Sequence, residues 1–308
     1  MSLLSQARDS SELIRNLTAR EVKGKYKSTA LGQLWSLVTP VATMIVYTLV
    51  FSFIIRMQPD PGDPSGLKTF PLWLMCALLP WTFFTAVVNS GISSLVNNDN
   101  LIKKVYFPRW TLPLSATLAA LRQWGIEMLL LAVALSGALL VWGRTMVLPW
   151  LPLVLLVMVL FALFALGLAL VLAITNVYFR DTQHFVTIVL QMWFYLTPII
   201  YPAKYVKEQL AKTFPDPSPA ATTTPAATTG PCAEPAVPDP SGTADLLFGV
   251  YSHANPVYPF MEAFRNLLYD NRMPALGLVA ECAAWAAVSI GLGIWIFQRH
   301  QGRLAEAL

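Results

Sequence analysis

The chain alternates long apolar runs with short polar segments. Residues 31–55, 69–98 and 145–179 contain no charged side chain. A helix needs about 20 consecutive apolar residues to cross the hydrocarbon core of a membrane, so runs of this length predict membrane-spanning helices. The pattern predicts six spans, at about 31–55, 69–97, 114–142, 150–177, 183–201 and 274–298.

Residues 1–30 have an amphipathic pattern instead. Apolar side chains recur at Leu13, Leu17 and Val22, and five Arg and Lys residues lie between positions 15 and 27. A helix with this pattern lies on an anionic membrane surface with its apolar side buried. We therefore predict an interfacial helix on the cytoplasmic side, and a solvated basic tail is the alternative.

The region between the fifth and sixth predicted spans has two parts. Residues 205–246 are rich in Pro, Ala and Thr, which predicts a mobile external loop. Residues 247–270 mix polar and apolar positions too closely to span a membrane, so we expect short helices at the outer face. Residues 31–308 thus form the spanning domain of an all-α integral membrane protein, with an interfacial helix before it and short outer-face helices before its last span.

Composition agrees with this prediction. Hydrophobic residues make up 56% of the 308 residues and charged residues 12%, whereas soluble domains carry roughly 25% charged residues. Six spans place both termini on one side, and that side holds 13 of the 21 Lys and Arg residues. By the positive-inside rule we expect a multi-pass protein of the cytoplasmic membrane with both termini in the cytoplasm. A net charge of +4 distributed in this way does not indicate binding to nucleic acid.

The polar segment between the second and third spans is longer than a simple connector requires. Residues 97–113 carry Lys103, Lys104 and Arg109, and Pro108 interrupts an aromatic cluster. Pro108 predicts a short helix that ends before it. The segment is either a positive loop that only fixes orientation or a docking surface for a cytoplasmic partner.

Three polar residues occupy the third span. Arg122, Gln123 and Glu127 lie within it, and charges in hydrocarbon are costly unless they pair or face water. Gln123 and Glu127 are four residues apart and share one helix face. They either form structural pairs between helices or line a translocation path.

The sequence shows no pattern typical of catalytic or metal-binding residues. Three Cys and three His residues are scattered, and there is no G-x-S-x-G or phosphate-binding G-x-x-x-x-G-K-[ST] sequence. We expect no catalytic site, metal or cofactor in this chain. Active transport would then need an ion gradient or a separate ATPase.

Aromatic residues are frequent in the spans and allow two interpretations. They are typical of interfacial belts and helix packing. Aromatic faces also bind the apolar faces of sugar rings, which suits a path for a glycan. The candidate glycan-channel residues are Tyr47, Phe51, Trp73, Trp81, Phe84, Trp193 and Tyr195.

Four motifs follow one another along the chain. They are Lys23-Gly24-Lys25-Tyr26-Lys27-Ser28 with Trp35 and Pro40, the run from Leu101 to Arg109, Asn176-Val177-Tyr178-Phe179-Arg180-Asp181 with Thr197-Pro198, and Asn255-Pro256 with Glu262-Ala263-Phe264-Arg265. Together they resemble the transmembrane subunit of ABC-type polysaccharide exporters, the group that secretes O-antigen, teichoic acid and galactan chains. The resemblance covers nearly the whole chain.

This resemblance implies a homodimer with two copies of a cytoplasmic ATP-binding subunit, where ATP and magnesium bind. A lipid-linked polysaccharide would pass between the two copies, in contact with membrane lipids. The implied ATPase-coupling residues are Leu101, Lys103, Lys104, Tyr106, Phe107, Pro108, Arg109, Arg180 and Asp181. The implied outer gate, within 247–270, contains Asn255, Pro256, Phe264 and Arg265. The Ala and Pro bias of the external loop hints at a GC-rich genome, with galactan as the cargo.

Two features depart from the family pattern. Thr39-Pro40 stands where Asn-Pro is expected, and the Pro/Ala/Thr segment at about 214–242 is longer than expected. The alternative functions are the permease of an ABC-type drug or lipid exporter, a membrane glycosyl- or acyltransferase, and a structural scaffold. An enzyme would need acidic or His residues at one membrane face, whereas Glu127, Asp181 and Glu281 fall at different predicted depths.

Overall fold

The computed structural model describes residues 11–25, 32, 35–56, 59–105, 107–141, 148–213 and 242–301. These residues form eleven α-helices and no strand, which confirms the all-α fold. The helices are α1 (Ser11–Lys25), α2 (Trp35–Tyr47), α3 (Phe70–Ser94), α4 (Asp99–Lys104), α5 (Thr111–Val141), α6 (Leu151–Tyr178), α7 (Thr182–Leu196), α8 (Ala203–Thr213), α9 (Gly242–Ala254), α10 (Tyr258–Phe264) and α11 (Leu276–His300). π-Helical segments extend α2 over Thr48–Ile54 and α10 over Arg265–Tyr269.

Within the described residues, five helical segments are long and apolar enough to cross a membrane. They are Leu37–Ile54, Phe70–Ser94, Thr111–Val141, Leu151–Tyr178 and Leu276–His300. The predicted span at 183–201 corresponds to α7, which has 15 residues and is about 22 Å long. α7 ends because Thr197 is extended before Pro198, the conformation that a residue preceding proline favours. Since a hydrocarbon core is about 30 Å thick, a sixth span stays a prediction.

The segment after α7 differs from the mobile loop expected over 205–246. Ala203–Thr213 and Gly242–Ala254 are helical, so both edges of that segment are ordered. α8 is rich in Lys, Gln, Leu and Ala, which favour helix, and an ion pair of 2.6 Å between Lys207 and Asp245 joins it to α9. Residues 214–241 lie outside the described part of the chain. The short helices expected over 247–270 are present as the end of α9 and as α10.

α3 is the central helix of the bundle. It packs against α5 and α6, and most of its side chains are buried. Phe83 of α3 stacks on Trp124 of α5 with ring centroids 4.2 Å apart. Phe161 of α6 contacts Phe260 of α10 at 4.8 Å. Such ring pairs contribute about 0.5–1.5 kcal/mol each beyond the burial of their area, so the aromatic core also holds the short helix α10 against the bundle.

α6 and α11 approach each other closely where both carry small residues. A Cβ atom on Gly293 would lie 2.6 Å from the carbonyl oxygen of Gly167, and one on Gly167 would overlap the backbone of Ser289. The Ser289 hydroxyl donates a hydrogen bond of 2.7 Å to the carbonyl of Phe164. Small residues that admit a neighbouring backbone are the usual basis of helix packing in membranes. This seam therefore fixes α11 to the bundle.

One end of the bundle contains α1, α4 and the last turn of α11. α1 packs against α5 with Leu17 buried, and Arg20 donates a hydrogen bond of 2.6 Å to the side-chain oxygen of Asn98. The guanidinium of Arg109 donates to the carbonyl oxygen of Gln301. We call this end the α1 end.

The opposite end collects residues 59–69, α8, α9 and α10. The Tyr269 hydroxyl donates a hydrogen bond of 2.7 Å to the carbonyl of Leu67. The indole N–H of Trp150 donates one of 3.1 Å to the carbonyl of Asn271. The loops of this end are thus held by side chains that satisfy backbone carbonyls.

Gly293→Leu tests the α6–α11 seam. The added side chain meets backbone, which cannot move aside as a flexible side chain can, so we expect a loss of about 1–3 kcal/mol or more from overpacking. The matched control is Gly291→Leu on the same helix, where a Cβ atom meets nothing within 4 Å. Thermal unfolding in detergent should show a large decrease for the first variant and little change for the second. Equal stabilities would contradict the close approach of α6 and α11.

Candidate coupling and translocation elements

α4 presents its basic residues outward from an apolar anchor. Ile102 is buried on its inner side, whereas Lys103 and Lys104 are exposed. Lys103 pairs with Asp99 one turn earlier at 3.7 Å. Asp99 stands at the start of the helix and the two lysines at its end, which suits the helix dipole. The exposed lysines can therefore meet a partner without disturbing the anchor.

The anchor belongs to a larger group of apolar side chains at the α1 end. We call it the α1-end cluster; its buried members include Leu95, Ile102, Leu112, Ile174, Val177 and Phe297. Leu101, Phe107 and Trp110 pack against it from the loop. α5, α6 and α11 contribute to this cluster, and Leu95 directly follows the last residue of α3. The cluster therefore joins the loop around α4 to four spanning helices.

Two predicted coupling residues after α4 have structural partners. The carbonyl of Pro108 accepts hydrogen bonds from the Thr111 N–H at 3.1 Å and the Thr111 hydroxyl at 2.7 Å, which begins α5. Arg109 binds the carbonyl of Gln301 just after α11, where helix carbonyls lack partners. No local sequence pattern indicates this contact, because 192 residues separate the two groups. Tyr106 lies outside the described residues.

The turn that contains Arg180 and Asp181 lies at the same end. Both residues are exposed, and the Asp181 carbonyl accepts hydrogen bonds of 3.1 Å from the N–H groups of His184 and Phe185, which begins α7. The ring of Tyr178 contacts that of His300 at 6.2 Å, edge to face. The structure thus brings this turn and the Arg109 loop to the end of α11.

The candidate glycan-channel residues divide into two groups. Trp73, Trp81 and Phe84 are buried within this chain, which favours the packing interpretation for these three. Phe51 and Trp193 are partly buried against the core. Tyr47 is also partly buried, with its ring stacked on Phe194 at 6.0 Å, and Tyr195 is largely exposed. Tyr195 is therefore the most exposed of the seven within this chain.

Asn255 joins three elements at the opposite end. Its buried side-chain oxygen accepts hydrogen bonds from the Trp193 indole at 2.9 Å and the Val257 N–H at 3.2 Å. Its amide nitrogen donates to the Thr197 hydroxyl at 3.0 Å. This network connects α7, the turn after α7 and the turn between α9 and α10, which also contains Pro256.

Phe264 and Arg265 anchor α10 to the bundle. Phe264 is fully buried and meets Trp124 edge to face at 5.7 Å. The guanidinium of Arg265 is also buried, lies 3.9 Å above the ring of Trp73, and donates a hydrogen bond of 2.8 Å to the carbonyl of Ile199. A desolvated cation–aromatic contact contributes about 2 kcal/mol, so these two residues hold the short helices in place.

A polar cavity of about 280 Å³ adjoins Arg265. Its walls include Glu262, Asp270 and Lys204, and Lys204 is paired with Asp60. Burial raises the pKa of Asp270 to about 6, although the nearby Arg272 opposes this effect. Among the described residues, no group of three or more acidic, His or Cys side chains is arranged to hold a metal ion.

Glu127 and Gln123 of α5 are paired. The Gln123 amide donates a hydrogen bond of 2.9 Å to the Glu127 carboxyl group, which is buried. The two residues lie one turn apart on the same helix. A position on a translocation path stays a prediction.

Comparison with known proteins agrees with this architecture. The profile of the family described as ABC-2 type transporter matches residues 12–225. The chain belongs to this family of transmembrane permeases. It is 28% identical over 302 residues to the O-antigen export system permease protein RfbA of Myxococcus xanthus, covering 96% of this chain and 95% of that protein.

Two further relatives match over a shorter range. The O-antigen export system permease protein RfbA of Klebsiella pneumoniae is 28% identical over 65% of this chain and 73% of its own length. The polysialic acid transport protein KpsM of Escherichia coli is 23% identical over 64% of this chain and 72% of its own length. The chain is thus a multi-pass membrane permease similar to polysaccharide transport proteins.

Asn255→Ala should weaken the opposite end. The change leaves the Trp193 indole N–H and the Val257 N–H without their acceptor, which costs about 1–3 kcal/mol when donors stay buried. We expect a lower unfolding temperature in detergent and faster hydrogen exchange in α9. Asn89→Ala, at an exposed position on α3, is the control. Unchanged exchange in the Asn255 variant would show that the network does not hold these helices.

Proposed function

We propose that this chain is the permease subunit of an ATP-driven exporter that carries a lipid-linked cell-surface polysaccharide across the cytoplasmic membrane. The observation that carries the proposal is the likeness to an O-antigen export permease over 96% of this chain. A second named relative transports polysialic acid. The shared property of these cargoes is a long polar glycan, and a galactan of the cell wall is the specific cargo we propose.

The α1 end is the proposed cytoplasmic face, with both termini there. It carries the basic residues of α1 and α4, and cytoplasmic segments are rich in Lys and Arg. α1 would lie on the inner leaflet with Leu13 and Leu17 against the bundle, where both residues pack on the α1-end cluster. The opposite end, with its three short helices, would then face outward as the gate.

The loop around α4 and the turn at Arg180-Asp181 are the proposed contacts for a separate ATP-binding subunit. ATP and magnesium would bind to that subunit. The exposed Lys103 and Lys104 provide charge for docking, and the α1-end cluster links the loop to α3, α5, α6 and α11. A displacement of α4 would therefore move these helices as rigid bodies, which is a common form of conformational transition in proteins.

A second copy of this chain is the proposed partner within the membrane. Only 6% of the first span is buried, with Ile45, Phe53 and Ile54 among its exposed side chains. Lipid or another protomer must cover this apolar surface. A channel between two copies would place the exposed Tyr195 and the partly exposed Tyr47 nearer to the cargo than the buried Trp81.

Lys104→Glu tests the docking surface more cleanly than Arg109→Glu. Arg109 binds the end of α11, so its loss alters the fold as well as the surface charge. Reversing the charge at the exposed position 104 should reduce co-purification with the ATP-binding subunit at least tenfold. The reason is that one attraction becomes a repulsion in a charged interface. Lys212→Glu, at an exposed position on α8, is the control.

The amount of ATP-binding subunit retained by tagged permease measures this effect. Permease yield and thermal stability should be equal in wild type and both variants. Full retention in the Lys104 variant, together with normal glycan export, would place the docking surface elsewhere.

A further inference from the structure

Arg122 is a cation within a spanning helix, and the described residues provide no partner for it. α5 has 31 residues, so it is about 46 Å long and exceeds the hydrocarbon core by about 16 Å. Arg122 stands eleven residues after Thr111, which places it about 16 Å from the α1 end of the helix. It is exposed and forms no hydrogen bond or ion pair within the described part of the chain. The nearby Glu127 is bound by Gln123.

Arg122 lines a cavity of about 350 Å³. The walls come from α1, α3 and α5, and most of them are small side chains such as Ala86, Ser90, Ala119 and Ala120. Small residues on three packed helices leave a space that no side chain of the described chain fills. Glu21 of α1 lines the same cavity, but it pairs with Arg20.

An exposed aliphatic stripe continues from Arg122 along α5. Ile126, Leu129 and Val133 follow at intervals of four, three and four residues, which places them on one helix face. Their exposed fractions are 42%, 60% and 63%. The surface therefore combines the cation of Arg122 with an apolar strip about 10 Å long that extends toward the opposite end.

We propose that this surface binds one anionic phospholipid of the leaflet at the α1 end. Its phosphate occupies the cavity and contacts Arg122, and one acyl chain lies along Ile126, Leu129 and Val133. A charge within hydrocarbon requires a counter-charge, and a guanidinium matches phosphate oxygens in a bidentate geometry. The inference does not rest on the proposed transport function.

Charge and shape favour a lipid over a second copy of the chain. A protein partner would have to place an acidic side chain at this depth. The long side chain of Arg122 can instead extend toward the headgroup boundary, where the phosphate of a lipid already lies. α1 forms one wall of the cavity and carries basic residues that attract anionic lipids to the same place. The bound lipid would hold α1 against α3 and α5.

The test uses the full-length purified protein in detergent, because bound ligands raise the unfolding temperature. Phosphatidylglycerol, phosphatidylcholine and polyprenyl phosphate are titrated separately against thermal unfolding. Phosphatidylglycerol should stabilise the wild type at concentrations at least tenfold lower than phosphatidylcholine. Arg122→Gln should weaken the phosphatidylglycerol effect about tenfold or more, the change expected from losing a charge-assisted contact.

Three variants separate this site from general effects of charge. Arg15→Gln removes an exposed arginine of α1 that does not line the cavity, and it should bind as the wild type does. Arg122→Lys keeps the charge and should retain part of the effect. Ala119→Leu fills the cavity one turn before Arg122 and should weaken binding while the cation stays. This last variant tests the proposal even if Arg122→Gln fails to fold.

Other results would overturn the proposal. Equal stabilisation of wild type and Arg122→Gln, or of wild type and Ala119→Leu, would place the lipid elsewhere. Tighter binding of polyprenyl phosphate than of phosphatidylglycerol would identify a carrier lipid as the occupant instead. A change in dimer formation by Arg122→Gln, with unchanged lipid binding, would assign the surface to a second copy of the chain.

Discussion

Helices in a lipid bilayer gain little from burying apolar surface against each other, since lipid chains are as apolar as leucine. The bundle therefore depends on close contact, and the α6–α11 seam shows how this is achieved. Gly167 and Gly293 let the two backbones meet, and Ser289 adds a hydrogen bond to the Phe164 carbonyl. α11 is thereby fixed along α6, and the last turn of α11 lies beside the loop that contains Arg109.

The two ends of the bundle are tied to this frame by different chemistry. At the α1 end, apolar side chains of the loop pack on four spanning helices, and Arg109 satisfies a carbonyl just after α11. At the opposite end, the buried Asn255 and Arg265 hold short helices through hydrogen bonds to neighbouring turns. A displacement at one end can thus reach the other only by moving packed helices, which suits a transporter driven by a partner subunit.

The sequence predicted the parts of the structure that depend on local pattern. Long apolar runs predicted the five long helices, and the alternation of apolar and basic residues predicted α1. Contacts across the chain could not be predicted in this way. The coupling role of Arg109 stays a prediction, and no local pattern indicates that its guanidinium binds a carbonyl 192 residues away. Trp73 and Arg265 were assigned to different elements, but they form one stacked pair.

Two other differences have local physical causes. Pro, Ala and Thr dominate the composition of residues 205–246 taken as a whole. The start of the segment has a different composition, rich in helix-favouring residues, and it forms part of α8. The predicted fifth span reaches Tyr201, whereas α7 ends at Leu196, because Thr197 is extended before Pro198.

The central claim is that this chain is a glycan permease driven by a separate ATPase. The most direct measurement is the ATP hydrolysis rate of the permease co-purified with its ATP-binding subunit, with and without lipid-linked glycan. The account predicts a stable complex with two copies of each subunit, whose hydrolysis rate changes when glycan is added. The absence of any ATP-binding partner, combined with turnover of a lipid-linked sugar by this chain alone, would contradict it.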